Sequence, residues 1–170
     1  PCDTINFNIT QNDTTICSTD TIQLFTSGGT NYEWLTNSNI SNQLISNPLV
    51  WPSSTTTYQV VISDTNTCSD TAQVTITVNS LPVIDAGLDD TICIGDTTQL
   101  LASGANTYLW APSSSLSASN IANPLALPTV STSYIVTGTD LNSCFNTDTV
   151  YVVVNNLPAV DAGLPASICL

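Results

Sequence analysis

Apolar and polar residues alternate along most of the chain. The stretches "SDTAQVTITVN" (69–79) and "FNTDTVYVVVN" (145–155) place apolar side chains at every second position. That period sends successive residues to opposite faces of a half-buried β-strand. "TIQLFTSG" (21–28) and "TTQLLASG" (97–104) alternate in the same way and end in glycine. "NYEWLT" (31–36) and "NTYLWAP" (106–112) follow, then "STTTYQVVISD" (54–64) and "STSYIVTGTD" (131–140). Short polar turns, "TNT" and "LNS", lead from these into a cysteine and the long alternating strand. No stretch carries a helical period. Strands at this spacing with polar turns between them predict an all-β fold of the immunoglobulin-like sandwich type.

The pattern is written twice. Cys17 and Cys93 are 93 − 17 = 76 residues apart, and Cys68 and Cys144 are again 144 − 68 = 76 apart. The same offset relates Trp34 to Trp110, Tyr32 to Tyr108, Tyr58 to Tyr134, Asn47–Leu49 to Asn123–Leu125, and Cys93 to Cys169. "LPVIDAGL" (81–88) recurs as "LPAVDAGL" (157–164), reading as a linker phrase. A period this long is a whole domain. The expected organisation is a first sandwich over 1–80, a second over 81–157, and the first strand of a third copy over 158–170. Trp34 and Trp110, at one repeat position, are expected in the two cores. The first copy opens differently, on "PCDTINFNITQNDTTIC", which suits a copy with no repeat before it. A start at Pro rather than Met suggests a processed or excised piece.

Charge narrows the function. The chain has thirteen acidic residues and no Lys, Arg or His, a formal charge of −13. Side-chain salt bridges and Lys–Asn isopeptide crosslinks are excluded. Nucleic acid and anionic membranes are not expected partners, because binding them needs cationic side chains. No apolar run reaches the length of a membrane span. Six cysteines without histidine point to disulfides rather than zinc, and so to an oxidising, extracellular compartment.

Catalysis has little to draw on. There is no histidine for proton transfer and no cation to stabilise developing negative charge. Glu33 lies on a predicted strand. Asp89 and Asp90 are adjacent, which sends their carboxylates to opposite faces and suits glycoside hydrolysis poorly. Together with Asp85, which Asp161 repeats, they are instead candidate calcium ligands at the junction between copies. The competing reading is that these residues cap turns and hydrate the surface. Trp51 could form a sugar-binding platform, although the second copy has Leu127 there. Asn8, Asn12 and Asn39 lie in Asn-x-Thr/Ser sequons.

The order "DAGLDDTICIGDTTQLLASG" (85–104), "NTYLWAP", "NPLALPT" (123–129), "TSYIVTGTD", "SC" and "TDTVYVVVN" resembles the PKD-like, immunoglobulin-like repeats of very large surface proteins of gliding bacteria that use type IX secretion. The resemblance covers nearly the whole chain and is closer in the second copy. It implies a non-enzymatic stalk or adhesive array at the cell surface. Its partners would be neighbouring repeats, self-assembled filaments, or a surface or glycan ligand. The alternative is a carbohydrate-binding or accessory module of a secreted hydrolase. The resemblance also implies O-glycan candidates where Thr follows Asp, at Thr4, Thr14, Thr21, Thr71, Thr91, Thr97 and Thr149.

Disulfide pairing within each copy, Cys17 with Cys68 and Cys93 with Cys144, conflicts with sandwich topology. The two members of each pair fall at opposite ends, roughly 17–20 Å apart for a typical strand. A disulfide needs Cα atoms within about 7 Å. In a tandem row the far end of one copy faces the near end of the next. The expected bridges are therefore Cys17–Cys144 and Cys2–Cys68, with Cys93 and Cys169 awaiting partners in later copies.

Overall fold

The structure, a computed structural model, describes residues 8–10, 12–36, 38–65, 68–161 and 163. Two compact units divide the chain between Leu81 and Pro82. The first contains β1 (Asn8–Ile9), β2 (Thr14–Cys17), β3 (Ile22–Gln23), β4 (Thr26–Ser27), β5 (Asn31–Trp34), β6 (Leu49–Val50), β7 (Thr56–Ser63) and β8 (Ser69–Asn79). The second contains β9 (Asp90–Cys93), β10 (Thr98–Gln99), β11 (Thr107–Ala111), β12 (Leu125–Ala126), β13 (Thr132–Thr139) and β14 (Phe145–Asn155).

Each unit has one four-stranded sheet, in the order β2-β8-β7-β5 or β9-β14-β13-β11. Its first strand runs parallel to the last, while the other neighbours are antiparallel. Short pairs form the opposing layer: β1-β4 and β3-β6 in unit 1, β10-β12 in unit 2. The fold is all-β, two immunoglobulin-like sandwiches in tandem.

Alternation puts one side of each long strand inside. Unit 1 buries Leu24, Trp34, Val50, Tyr58, Val60, Ile62, Val74 and Ile76. Unit 2 buries, at the equivalent positions, Leu100, Trp110, Ala126, Tyr134, Val136, Val150 and Val152. Both tryptophans sit in the cores. Their indole N–H groups donate to the Ile45 and Ile121 carbonyls at 3.0 Å, so neither buried ring leaves a polar atom unsatisfied. Ile62 has no bulky counterpart, since Gly138 stands there. A Cβ on Gly138 would come within 2.4 Å of Ile84 Cδ1. Ile84 therefore fills the space that Ile62 fills in unit 1.

The phrase "LPVIDAGL" packs into unit 2: Ile84 and Ala86 are buried in its core, and Asp85 pairs with Ser103. "TIQLFTSG" is not one continuous strand. It divides into β3 and β4, which pair with β6 and β1. Its hydrogen bonds nevertheless continue, from Leu24 N to the Pro48 carbonyl and from Thr26 N to the Ser46 carbonyl. The proline of each "NPL" is buried and its carbonyl accepts the Leu24 or Leu100 N–H, so it joins the ladder without needing an N–H.

Candidate functional site: the cysteine seats of each unit

Each unit presents cysteine positions at both ends of its long final strand. Cys17 ends β2 and pairs in register with Asn79, the last residue of β8. The Ser18 N–H donates to the Asn79 carbonyl at 2.9 Å, and Asp20 N–H to the Cys17 carbonyl at 2.9 Å. Cys93 repeats this setting. It pairs with Asn155, Ile94 N–H donates to the Asn155 carbonyl at 2.9 Å, and Asp96 N–H to the Cys93 carbonyl at 3.0 Å.

Cys68 and Cys144 sit at the other end, immediately before β8 and β14. An Asp four residues earlier shapes each hairpin. Asp64 Oδ1 accepts the Cys68 N–H at 3.0 Å, and Asp140 Oδ1 accepts those of Asn142 at 2.8 Å and Cys144 at 2.9 Å. The backbones close the same turns, with Asp64 N–H donating to the Cys68 carbonyl and Asp140 N–H to that of Cys144. The Asp-x-x-x-Cys spacing, present in both copies, is the signal for these two positioning carboxylates, and sequence reasoning had passed over it.

Cys17, Cys68 and Cys144 are disulfide-bonded, whereas Cys93 is an exposed free thiol. Cys144 is fully buried and Cys68 is 8% exposed. Ser69 and Asn79 span an eleven-residue strand, a separation of about 33 Å at about 3.3 Å per residue. That exceeds the strand length expected above and is far beyond disulfide reach. Cys17 and Cys68 therefore do not bond to each other. Cys2 and Cys169 lie outside the described residues.

The calcium candidates are not gathered. Asp85 Oδ1 accepts the Gly87 N–H at 2.8 Å, and Asp89 Oδ1 accepts the Tyr151 N–H at 2.7 Å. Asp90 accepts the Thr91 N–H at 2.7 Å and the Thr98 hydroxyl. The Thr98 hydroxyl, then the Thr91 N–H, hold its carboxyl below the ordinary range. Asp161 Oδ1 accepts the Gly163 N–H at 2.8 Å. Each of these carboxylates is taken up by backbone N–H groups, near in sequence for Asp85, Asp90 and Asp161 and on β14 for Asp89. Among the described residues no group of three His, Cys, Asp or Glu side chains could hold a metal.

Thr21, Thr71, Thr91, Thr97 and Thr149 are exposed, Thr14 is half-buried, and Thr4 lies outside the described residues. Asn8, Asn12 and Asn39 are exposed. Trp51 stands on the surface at 43% exposure, and its counterpart Leu127 at 48%. Glu33 is exposed on β5, with no partner for acid–base work placed beside it by the register. Among the described residues no helix is long and apolar enough to cross a membrane.

No family model and no curated protein matches the chain. Solved structures do. The chain is similar to the two immunoglobulin domains of DIP-gamma, at 15% identity, 88% of this chain, 96% of that one and a TM-score of 0.40. It is similar to the insect immune protein hemolin at 13% identity, covering 87% of this chain and 46% of that one, with a TM-score of 0.44. The first two immunoglobulin domains of the Drosophila receptor phosphatase DLAR align at 13% identity over 88% of this chain and 98% of theirs, with a TM-score of 0.36.

Proposed function

We propose that this chain is a non-enzymatic segment of an extracellular array of PKD-like, immunoglobulin-like repeats, a stalk or filament section of a large secreted surface protein. Residues 158–170 would begin a third repeat. Disulfides between successive units would stiffen the row: Cys17 with Cys144, and Cys2 with Cys68. The observation that carries this reading is the unequal state of the two cysteines of one repeat. Cys144 is bonded while Cys93, the other cysteine of its own repeat, is free. The long final strand keeps the two ends of a unit about 33 Å apart. A bridge that cannot close within a unit supports one that links units.

A cross-unit bridge limits bending and removes chain entropy from the unfolded state. Such staples suit a load-bearing spacer. The exposed Asp-Thr threonines suit O-glycan, which would hydrate a surface with few charges. The test is non-reduced peptide mapping with a protease that cuts at Asp or aromatic residues, since trypsin has no site. A linked peptide pair containing Cys17 and Cys144 is expected. A Cys17–Cys68 or Cys93–Cys144 pair would overturn the reading. Intact mass of native material above that of the bare polypeptide checks the glycan.

A further inference from the structure

Cys93 and Cys17 occupy the same backbone seat, one bonded and one free. Each ends a strand that runs parallel to the last strand of its unit, each pairs with an Asn, and each is followed by the same two backbone hydrogen bonds. The surroundings differ. Ser18 is replaced by Ile94, 38% exposed, and Ser54 by Val130, 68% exposed. Leu157, two residues after Asn155, is 64% exposed. Val130 belongs to this end because the next residue, Ser131, accepts the Val154 N–H on its hydroxyl at 3.0 Å. Ile94, Val130 and Leu157 thus leave exposed apolar surface at the end of unit 2 that carries the open thiol. Apolar side chains gathered at one end can form an interaction site.

We infer that the Cys93 end of unit 2 is a covalent docking surface for a further immunoglobulin-like unit of this same repeat type. The incoming group is the Asp-x-x-x-Cys hairpin, the element that carries Cys68 and Cys144. Ile94, Val130 and Leu157 receive the hairpin, and Cys93 seals it. This inference rests on the Cys17–Cys144 reading, which identifies hairpin cysteines as the partners of this seat. In the sealing step a small disulfide, such as oxidised glutathione, is attacked first by one thiolate to give a mixed disulfide. The second protein thiolate then displaces the remaining glutathione. One protein S–S bond forms, one glutathione S–S bond breaks, and the two protons and two electrons leave on two glutathione thiols.

The test mixes two full-length chains, both carrying Cys169→Ser so that this cysteine cannot compete. The first is otherwise unchanged, with Cys93 free. The second carries Cys17→Ser and Cys93→Ser, which leaves its Cys144 without a partner. Circular dichroism checks that both keep their β-structure. In a glutathione redox buffer a covalent 1:1 dimer joined through Cys93 and Cys144 is expected. Ile94→Ser with Val130→Ser in the first chain should slow its formation severalfold. The same change should leave the rate of Cys93 labelling by a small thiol reagent unaltered. Glutathione adducts or Cys93–Cys93 dimers alone, with Cys144 shown free by thiol labelling, would overturn the docking surface and leave the Cys17–Cys144 bridge standing. A Cys144 that stays blocked in the double variant would overturn the bridge and the docking inference with it.

Discussion

Asp140 shows how a single carboxylate sets the position of a disulfide sulfur. Its Oδ1 accepts two backbone N–H groups of the hairpin, one of them from Cys144 itself. Hydrogen bonds to charged groups contribute more than neutral ones. Asp140→Ala should therefore lower the stability of unit 2 by about 1–2 kcal/mol in urea unfolding, and Asp140→Asn by less, because an amide oxygen still accepts. Asp148 works similarly on another segment. The N–H groups of Ala86, at 2.8 Å, and of Thr149 hold its carboxyl below the ordinary range. The unfolded chain then takes up the proton more readily than the folded one. The contribution of Asp148 is complete above the unfolded value of about 3.9 and is lost as pH falls through the lower folded value. Between pH 4 and pH 2 the urea midpoint of Asp148→Asn should fall less steeply than that of the parent chain. Identical slopes would remove Asp148 from the acid response.

At the scale of elements, the two units solve one packing problem in opposite ways. In unit 1 a small Gly29 faces a large Ile62, and a Cβ on Gly29 would lie 2.4 Å from Ile62 Cγ2 and 2.8 Å from the Ser63 carbonyl oxygen. In unit 2 Ala105 faces Gly138, and Ile84 enters from the neighbouring segment. Gly29→Ala should thus destabilise unit 1 by about 1–3 kcal/mol, the usual range for overpacking. Adding Ile62→Val should not recover all of it, since the Ser63 backbone cannot yield. Gly104 presents a harder limit. Its φ is +92°, and a Cβ there would meet the Val83 carbonyl oxygen at 1.8 Å, so Gly104→Ala should lower the melting temperature of unit 2 more than Gly29→Ala lowers that of unit 1. These details also mark where the sequence was legible. β8 and β14 span 69–79 and 145–155, the stretches in which alternation is longest, because a strand with one face buried writes its period into its residues. The burial of Ile84 was not legible, because the gap it fills is made by Gly138, 54 positions away in sequence (138 − 84 = 54). The hairpin aspartates were missed because a four-residue turn is too short to carry a period.

For the whole molecule, charge is the least usual property. Every ionised side chain is an acid, so each pairwise interaction between them is repulsive, and folding brings thirteen of them closer together. Salt screens such repulsion over about 10 Å at 0.1 M. In a protein of mixed charge, salt weakens attractions and repulsions together. Here there are no side-chain attractions to weaken. Raising sodium chloride from about 10 mM to about 150 mM should therefore raise the melting temperature of the chain. A gain of about 1 kcal/mol would appear as a shift of about 4–8 °C for units of this size. Because the carboxylates of Asp85, Asp89 and Asp90 each accept from separate backbone donors rather than converging, calcium and magnesium at equal ionic strength should produce the same shift. Differential scanning calorimetry over a salt series separates these outcomes. A melting temperature that falls with salt would mean that repulsion is not what limits stability. A calcium effect well above that of magnesium would mean that the carboxylates rearrange into a site.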